Sequence, residues 1–460
     1  MTLSPSEALL TKWLLTYFYQ RLPFPQEWLP QESYWVGGSL RDAYLAWLQG
    51  RAAGDPARDG GMESSASVDL DLMCAVDPVG WAAAVARRLG AGFVVLDPER
   101  QIARIVLAKL TVDVGLQAGS TPEEDLRQRD FTCNALALDL QREQLLDPTG
   151  GQADIRQGRM RMIHPDNLSA DPVRLLRGYR QAAQLGFGLD PATQEAIRER
   201  APLLANVAAE RVRAEIVALL EAGIPGLAHL QAAVAAGLLQ AWLPHLKPES
   251  PGFPQAQAVW EWAERWQPLY PRTLAELAQP LTSSREGRGR LLAVVLAALL
   301  WDPAGTEDSV LLTRTAERVE TELERLRFSR AEMRAIQKLH HLLPQLQLLL
   351  TDSPTPAQQW RLYQQAGSLF GGLALLAVAT GGDPQKLESW LKRYEDPQDP
   401  LAHLVPLLDG RDLLHSLGAK PGPWVGQLLQ DLQEAQAWGQ IQTRAEALSF
   451  ARRWRGQQKD

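Results

Sequence analysis

Ser67-Val68-Asp69-Leu70-Asp71-Leu72-Met73 sets two carboxylates one residue apart among apolar neighbours. Side chains of a strand alternate between faces, so Asp69 and Asp71 share one face while Leu70 and Leu72 share the other. Two like charges held that way are unfavourable without a cation beside them. Oxygen ligands of this kind suit Mg2+, which takes one or two carboxylates and completes its shell with water and phosphate oxygens. An isolated Asp-x-Asp also describes a solvated outer strand face, so the surrounding sequence has to decide.

Upstream, Val36-Gly37-Gly38-Ser39-Leu40-Arg41-Asp42 follows a short β-type run and enters a helical pattern. Paired glycines let backbone N–H groups approach an anion, and a helix start adds its positive dipole end. Arg41, with Asp42 beside it, supplies a fixed charge suited to a triphosphate. Downstream, Thr111-Val112-Asp113-Val114 offers a third carboxylate, Asp113, although a charged strand edge accounts for it equally well. β-type runs at 34–36, 68–76, 93–96, 102–107, 111–116 and 135–139 are separated by turns, with one helical segment at 80–89. Asp97-Pro98-Glu99 predicts a hairpin. Residues 50–67, rich in Gly, Ala, Asp and Ser, read as a surface insertion without a core of its own. From about residue 170 the β signals stop and helical periodicity runs to the end. The predicted fold class is α+β: a mixed-sheet head with an N-terminal helix over 1–165, then an all-α remainder that Pro/Gly punctuation divides into 166–245, 246–400 and 401–460.

At 460 residues the chain exceeds what one core usually serves. Its longest apolar stretches, such as 291–301, fall short of a bilayer, so no membrane segment is expected. The first residues lack a basic start and a cleavage site, and Trp13, Leu14, Tyr17 and Phe18 fit an amphipathic helix, which points to the cytoplasm. Cys74 and Cys133 lie in apolar runs and read as buried thiols, against a disulfide framework or a Cys-based zinc site. A net charge of −7 excludes a uniformly basic nucleic-acid binder and leaves that case to local clusters: 156–161, Arg174 with Arg177 and Arg180, Arg211 with Arg213, and Arg452, Arg453 and Arg455. The 15 tryptophans, mostly in the helical part, are expected to anchor packing rather than stack on bases. His340 and His341 have no carboxylate nearby and face different sides of a helix, which disfavours a phosphohydrolase centre.

Asp171-Pro172-Val173-Arg174-Leu175-Leu176-Arg177-Gly178-Tyr179-Arg180 predicts a helix with Asp171 as N-cap and Pro172 at the first helical position. Spacing by three brings Asp171, Arg174, Arg177 and Arg180 along one slowly drifting face.

These elements occur in one order with Asp125-Leu126-Arg127-Gln128-Arg129-Asp130-Phe131-Thr132-Cys133-Asn134-Ala135 and Asp147-Pro148-Thr149-Gly150-Gly151. Together they resemble the class II tRNA nucleotidyltransferases (CCA-adding enzymes) and the related bacterial poly(A) polymerases, on the nucleotidyltransferase fold of the DNA polymerase β superfamily. Arg180-Gln181-Ala182-Ala183-Gln184-Leu185 has a cyanobacterial style, and Gly410-Arg411-Asp412-Leu413 with Pro421-Gly422-Pro423 resembles the family's tRNA-facing C-terminal domain. The likeness covers 34–216 and 408–450. It implies a catalytic head, a neck carrying the template, a body and a tail, with tRNA, CTP and ATP as partners. It also implies metal ions on Asp69 and Asp71 that activate a 3′-hydroxyl. Nucleotide contacts fall to Gly37, Gly38, Arg41, Asp42, Arg129, Asp130 and Asn134. The family's Asp and Arg three apart, which template the incoming base, map to Asp171 and Arg174, and Arg177 and Arg180 are then expected at phosphate or sugar. Charged residues of Glu210-Arg211-Val212-Arg213-Ala214-Glu215 match a neck helix that braces the template. Chemically the pair suits cytosine or adenine: a carboxylate accepts from the exocyclic amine while a guanidinium donates to the ring nitrogen. Where the family usually has Glu before the template Asp, this chain has Ala170.

Complete CCA-adding members generally carry a flexible loop between the strand of Asp113 and the Asp-Leu-Arg element. Here residues 114–124 bridge that gap directly, which resembles the CC-adding members. Full CCA addition stays open beside CC addition. Poly(A) polymerase is disfavoured by the lack of long basic extensions. A non-catalytic RNA-binding protein is disfavoured because it has no need for adjacent unpaired carboxylates.

Overall fold

The computed structural model describes residues 5–50, 68–281, 288–302, 309–351 and 354–457, so the predicted insertion beyond Gly50 lies outside the described residues. The chain forms two compact units, Met1–Ile216 with Ala232–Ala241, and Val217–Gln231 with Trp242–Asp460.

In the first unit, α1 (Pro5–Arg21), β1 (Ser33–Val36), α2 (Gly37–Leu48), β2 (Val68–Cys74), α3 (Pro78–Leu89), β3 (Gly92–Asp97), β4 (Ile102–Val106), β5 (Leu110–Leu116), α4 (Pro122–Arg127), β6 (Ala137–Asp139) and β7 (Gln144–Leu146) follow one another. The strands form one sheet in the order β3-β4-β5-β2-β1-β6-β7. Only β2 and β5 run parallel, and the chain reaches that pairing through α3 and the β3–β4 hairpin. α3 starts where Asp77 accepts from the Gly80 N–H ahead of Pro78, and it stops at left-handed Gly90. Its buried Ala82, Val85 and Ala86 accompany Ala103 and Ile105 of β4 and Val112 and Val114 of β5 in the core. Each large aliphatic side chain buried this way contributes roughly 1.5–3 kcal/mol. Leu70 and Leu72 are buried too, which turns Asp69 and Asp71 to the opposite face.

The unit continues through α5 (Gly151–Arg156), β8 (Arg159–Met160), α6 (Pro165–Ala170), α7 (Val173–Leu185), β9 (Gly188–Leu189) and α8 (Pro191–Arg200); the following α9 (Ala209–Glu221) and α10 (Gly223–Ala235) are each divided between the two units. β8 and β9 pair in parallel. The all-α expectation beyond 170 therefore needs a correction at Gly188–Leu189, because a two-residue strand is too short to show a period of two. Asp154, fully buried, fastens this region: it accepts from Thr132 Oγ1 at 2.7 Å, Arg159 Nε at 2.7 Å and Arg161 Nε at 2.8 Å. Gly151 is required beside it, since a Cβ there would sit 2.1 Å from the Thr132 carbonyl oxygen.

The second unit is helical throughout its named elements. Gly252–Trp266, Arg290–Leu300, Arg330–Thr351 and Phe370–Ala379 pack around a Leu/Ala/Val core. His340 belongs to that core: it bonds the Ala297 carbonyl at 2.8 Å, and burial pushes it down to about 4, so it is neutral at pH 7. Gly410–Leu417, Trp424–Ala437 and Arg444–Gln457 share a separate cluster built on Leu408, Leu413, Leu428, Leu432 and Ala451. Against the sequence expectation, one stretch, Pro356–Ala379, is long and apolar enough by composition to cross a membrane, with mean hydropathy 1.3. Its most apolar window is 72% buried inside the protein, as a core helix requires. Cys74 and Cys133 are both buried free thiols, pushed by burial up to about 11 and about 12.

Asp154→Asn leaves two guanidinium groups without their carboxylate. It is expected to lower unfolding stability by about 3 kcal/mol, at the low end for a buried pair because both arginines reach solvent. Equilibrium urea denaturation checks this.

Candidate active site

Asp71 sits where three elements meet. Strand register pairs it with Val36 of β1 on one side and with Asp113 of β5 on the other, while Asp69 pairs with Thr111. Val36 ends β1, and Gly37 at φ +76° turns the chain directly into α2. A Cβ on Gly37 would lie 2.9 Å from Asp71 Oδ2, so the bend and the carboxylate are in contact. Ser39 Oγ donates to the same oxygen at 3.4 Å and accepts from the Asp71 N–H at 3.3 Å. The Thr111 hydroxyl donates to Asp69. Arg104 holds Asp113 with two bonds of 2.7 Å. Burial, then the Asp113 charge, push the Asp71 carboxyl up; Arg129 and the Ser39 hydrogen bond pull against this, and Asp69 adds to it. A carboxylate raised by like charges is what a divalent cation relieves. Among the described residues no group of three or more His, Cys, Asp or Glu is arranged as a metal cage.

Behind the carboxylates lies a buried polar network. Arg41 donates from Nε to Asp42 at 2.8 Å and from Nη1 to Asn134 Oδ1 at 2.6 Å. Asn134 Nδ2 donates to Asp130 Oδ1 at 2.9 Å and to Gln181 Oε1 at 2.8 Å. Asp130 also accepts from the Phe131 N–H and, at 3.4 Å, from Arg177 Nη1. Burial works to raise Asp130, but Arg177, Asn134, the Phe131 N–H and Arg174 outweigh it and hold the carboxyl below its usual range. Arg177 and Arg180 both donate to Glu215, at 3.3 and 2.5 Å.

Asp171 departs from its predicted role as a cap. It ends α6, Pro172 precedes α7, and no side chain caps α7. Its carboxylate instead accepts from Arg211 Nη2 of α9 at 2.8 Å, with Arg174 Nε at 4.0 Å. A charged partner from another helix outcompetes the local cap. Burial raises the Asp171 carboxyl, but the Arg211 hydrogen bond and charge, with Arg177 and Arg174, bring it below normal. Arg174 Nη1 donates to the carbonyls of Gln128 and Asn167, both at 3.0 Å, and its Nε is buried without a partner. This guanidinium is fixed in place through Nη1.

Three family models match in sequence order: the poly A polymerase head domain at 33–161, the RNA and SrmB-binding site of polymerase A at 186–250, and tRNA nucleotidyltransferase domain 2 at 309–451. The chain is 37% identical to the CC-adding tRNA nucleotidyltransferase of Synechocystis sp., over 94% of this chain and 96% of that one. The chain belongs to the tRNA nucleotidyltransferase family. It is 31% identical to the A-adding tRNA nucleotidyltransferase of Deinococcus radiodurans, over 95% of this chain and 98% of that one. The Thermotoga maritima CCA-adding enzyme solved in complex with tRNA shares the fold, with TM-score 0.63 at 18% identity over 98% of this chain and 95% of that chain.

This tRNA nucleotidyltransferase is thus an enzyme of the phosphoryl-transfer class, in a family that uses divalent metal. Its head brings Gly37, Asp69, Asp71 and Asp113 together, and links Arg41, Asp42, Asp130, Asn134 and Arg177 in one network. Asp171 is held by Arg211 with Arg174 Nε 4.0 Å away, and Arg180 is held by Glu215. Sequence reasoning missed Arg104, Ser39, Asp125 and Gln181. Gln181 had a signal, since it lies seven residues beyond Arg174 on the same helix face. Arg104 is diagonal in sequence to nothing until the β4–β5 register, which puts it opposite Asp113, is known.

Gly37→Ala places a side chain at positive φ and against Asp71. Stability should fall by about 1–2 kcal/mol, and nucleotide incorporation by more than tenfold, measured by denaturation and primer extension. The depressed Asp130 carboxyl stabilises the fold above its unfolded pKa of about 3.9, and that contribution is lost as pH falls through the lower folded value. Asp130→Asn should flatten the acid limb of a stability–pH profile.

Proposed function

We propose that this enzyme adds cytidines from CTP to the 3′ end of tRNA, releasing pyrophosphate, and stops after CC. The observation that carries the restriction is the connection between β5 and α4, residues 117–121. It is short and closed: Thr121 caps α4 through the Glu124 N–H, Glu124 accepts from Ser120 N at 2.7 Å and Oγ at 2.9 Å, and Asp125 accepts from Ala118 N at 3.0 Å. No long loop intervenes of the kind that switches the complete CCA-adding members from CTP to ATP. The CC-adding relative, matched nearly end to end, supports the same reading.

Asp171 and Arg174 are the base-reading pair. The Asp171 carboxylate accepts from the cytosine amine, and the Arg174 guanidinium donates to the ring nitrogen. Uracil presents an acceptor where the amine should be, which leaves a buried carboxylate unpaired at about 1–3 kcal/mol. Gly37, Gly38 and the first N–H groups of α2 receive the triphosphate. Arg129 contacts the nucleotide, and Arg41 and Asp42 act with Asn134 and Asp130 to hold that wall. Arg177 and Arg180, bound to Glu215, act at phosphate or sugar from the same helix face. Asp69 and Asp71 would hold Mg2+, with Asp113 as the third carboxylate of the site. A divalent ion held there would supply activation of the 3′-hydroxyl and neutralisation of the transferring and leaving phosphates. Residues 1–165 serve as catalytic head, 166–245 as neck with template, 246–400 as body and 401–460 as the tail that grips tRNA. The substrates, tRNA and nucleoside triphosphates, are met in the cytoplasm, which is where the enzyme is proposed to act.

The name of the A-adding relative favours one second reading, addition of the terminal A. Incubation of tRNA ending at the discriminator base, or at CC, with labelled CTP or ATP separates the two. Two cytidines on the first substrate and no adenosine on either are expected. Adenosine joined to the CC end would overturn the restriction, and long A tails would indicate poly(A) synthesis. Asp71→Ala should abolish incorporation while tRNA affinity stays within a few-fold. Replacement of Arg174 should admit UTP before it weakens triphosphate affinity; UTP still excluded in that variant would refute the template pair.

A further inference from the structure

We propose that Asp125 is a positioning residue that ties the β5–α4 connection to Arg129, so that the connection itself sets where the nucleotide-contacting guanidinium stands. The inference rests on the reading of Arg129 given above. Asp125 is 9% exposed, and a buried carboxylate is costly unless each oxygen is satisfied. Its two oxygens are divided. Oδ2 accepts from the Ala118 N–H at 3.0 Å, and Oδ1 accepts from Arg129 Nε at 3.0 Å, with Arg129 Nη2 also at 3.0 Å.

Both ends of this tie are fixed. Ala118 follows β5, which carries Asp113, and the turn after it is closed by Glu124 and Thr121. Arg129 has its carbonyl held by Asn167 Nδ2 at 2.7 Å, and the next residue, Asp130, is locked in the buried network. Backbone position is therefore settled from one side, and side-chain direction from the other by Asp125. The Arg129 charge reaches Asp71. A continuous path of hydrogen bonds thus runs from the end of β5 through Ala118 and Asp125 to Arg129. Lengthening or loosening the connection would withdraw the Ala118 N–H and release Arg129. Asp125 touches neither substrate nor reacting atoms in this path and acts through Arg129.

Steady-state kinetics on D125N, R129A and the double variant test the tie. Asparagine still offers an oxygen to Ala118 but no charge to Arg129. KM for CTP should rise about tenfold in D125N, with kcat and tRNA affinity within about threefold, and the double variant should be no worse than R129A alone. Independent, additive losses would mark Asp125 as merely structural and overturn the proposal, as would an unchanged KM in D125N beside a raised one in R129A. An unchanged KM in R129A would overturn it differently, by removing Arg129 from the nucleotide site and the assignment above with it. Should D125N not fold, A118P breaks the tie from its other end, with the same KM shift expected and an unchanged KM overturning the inference.

Discussion

The site depends on one register. β2 and β5 run parallel with Asp71 directly beside Asp113, so two carboxylates of neighbouring strands face the same way, and Asp69 lies one step along. Shifting β5 by one residue would turn Asp113 into the core and bring Val112 or Val114 to the face. The register holds because Val112 and Val114 are buried on the opposite side under α3, where exposing them would forfeit several kcal/mol. Apolar packing on one face thus keeps three like charges together on the other. Arg104 neutralises one of them, and the remaining repulsion is carried by Asp71, which burial also raises.

Around this floor the protein uses paired charges where most cores use hydrocarbon. Asp130, Asp154, Asp171 and Glu215 are all buried carboxylates, and each is met by one or more arginines. Such pairs contribute little net stability, since desolvation offsets the attraction, but removing one partner strands the other. Their consequence is geometric. Arg174, Arg177 and Arg180 leave α7 as long, rotamer-rich side chains, and backbone carbonyls or Glu215 reduce each to one direction. The proposed template needs that restriction, because it would read a base by where two hydrogen-bonding groups stand.

Much of this was legible in the sequence. Alternation in Val68–Cys74 put Asp69 and Asp71 on one face, and spacing by three aligned Arg174, Arg177 and Arg180. Both readings need only local periodicity. What failed or was missed is tertiary. Asp171 has the residue type, position and following proline of a cap, yet it turns to Arg211, forty residues on. No local rule weighs a neutral N–H against a guanidinium that another helix delivers. Arg104, Gln181 and Asp125 depend likewise on strand register or helix packing before their partners are known. Gly188–Leu189 is missed for the opposite reason, since its pairing is too short to leave a pattern.

The relation of Ala170 to Arg211 shows how these two levels meet. The family pattern places a glutamate before the template aspartate, and alanine here removes a carboxylate from that position. With alanine at 170, Arg211 finds its acceptor in Asp171, and the bond goes to Oδ2 at 2.8 Å. An ionised carboxylate has two acceptor oxygens. Arg211 therefore orients the group through Oδ2, and its hydrogen bond and charge, with Arg177 and Arg174, hold the carboxyl below its usual range against burial. A base amine requires an acceptor that is ionised and held at a defined angle. In the proposed base-reading role Arg211 meets both conditions from another helix, so the holding of Asp171 does not depend on a charged residue at position 170.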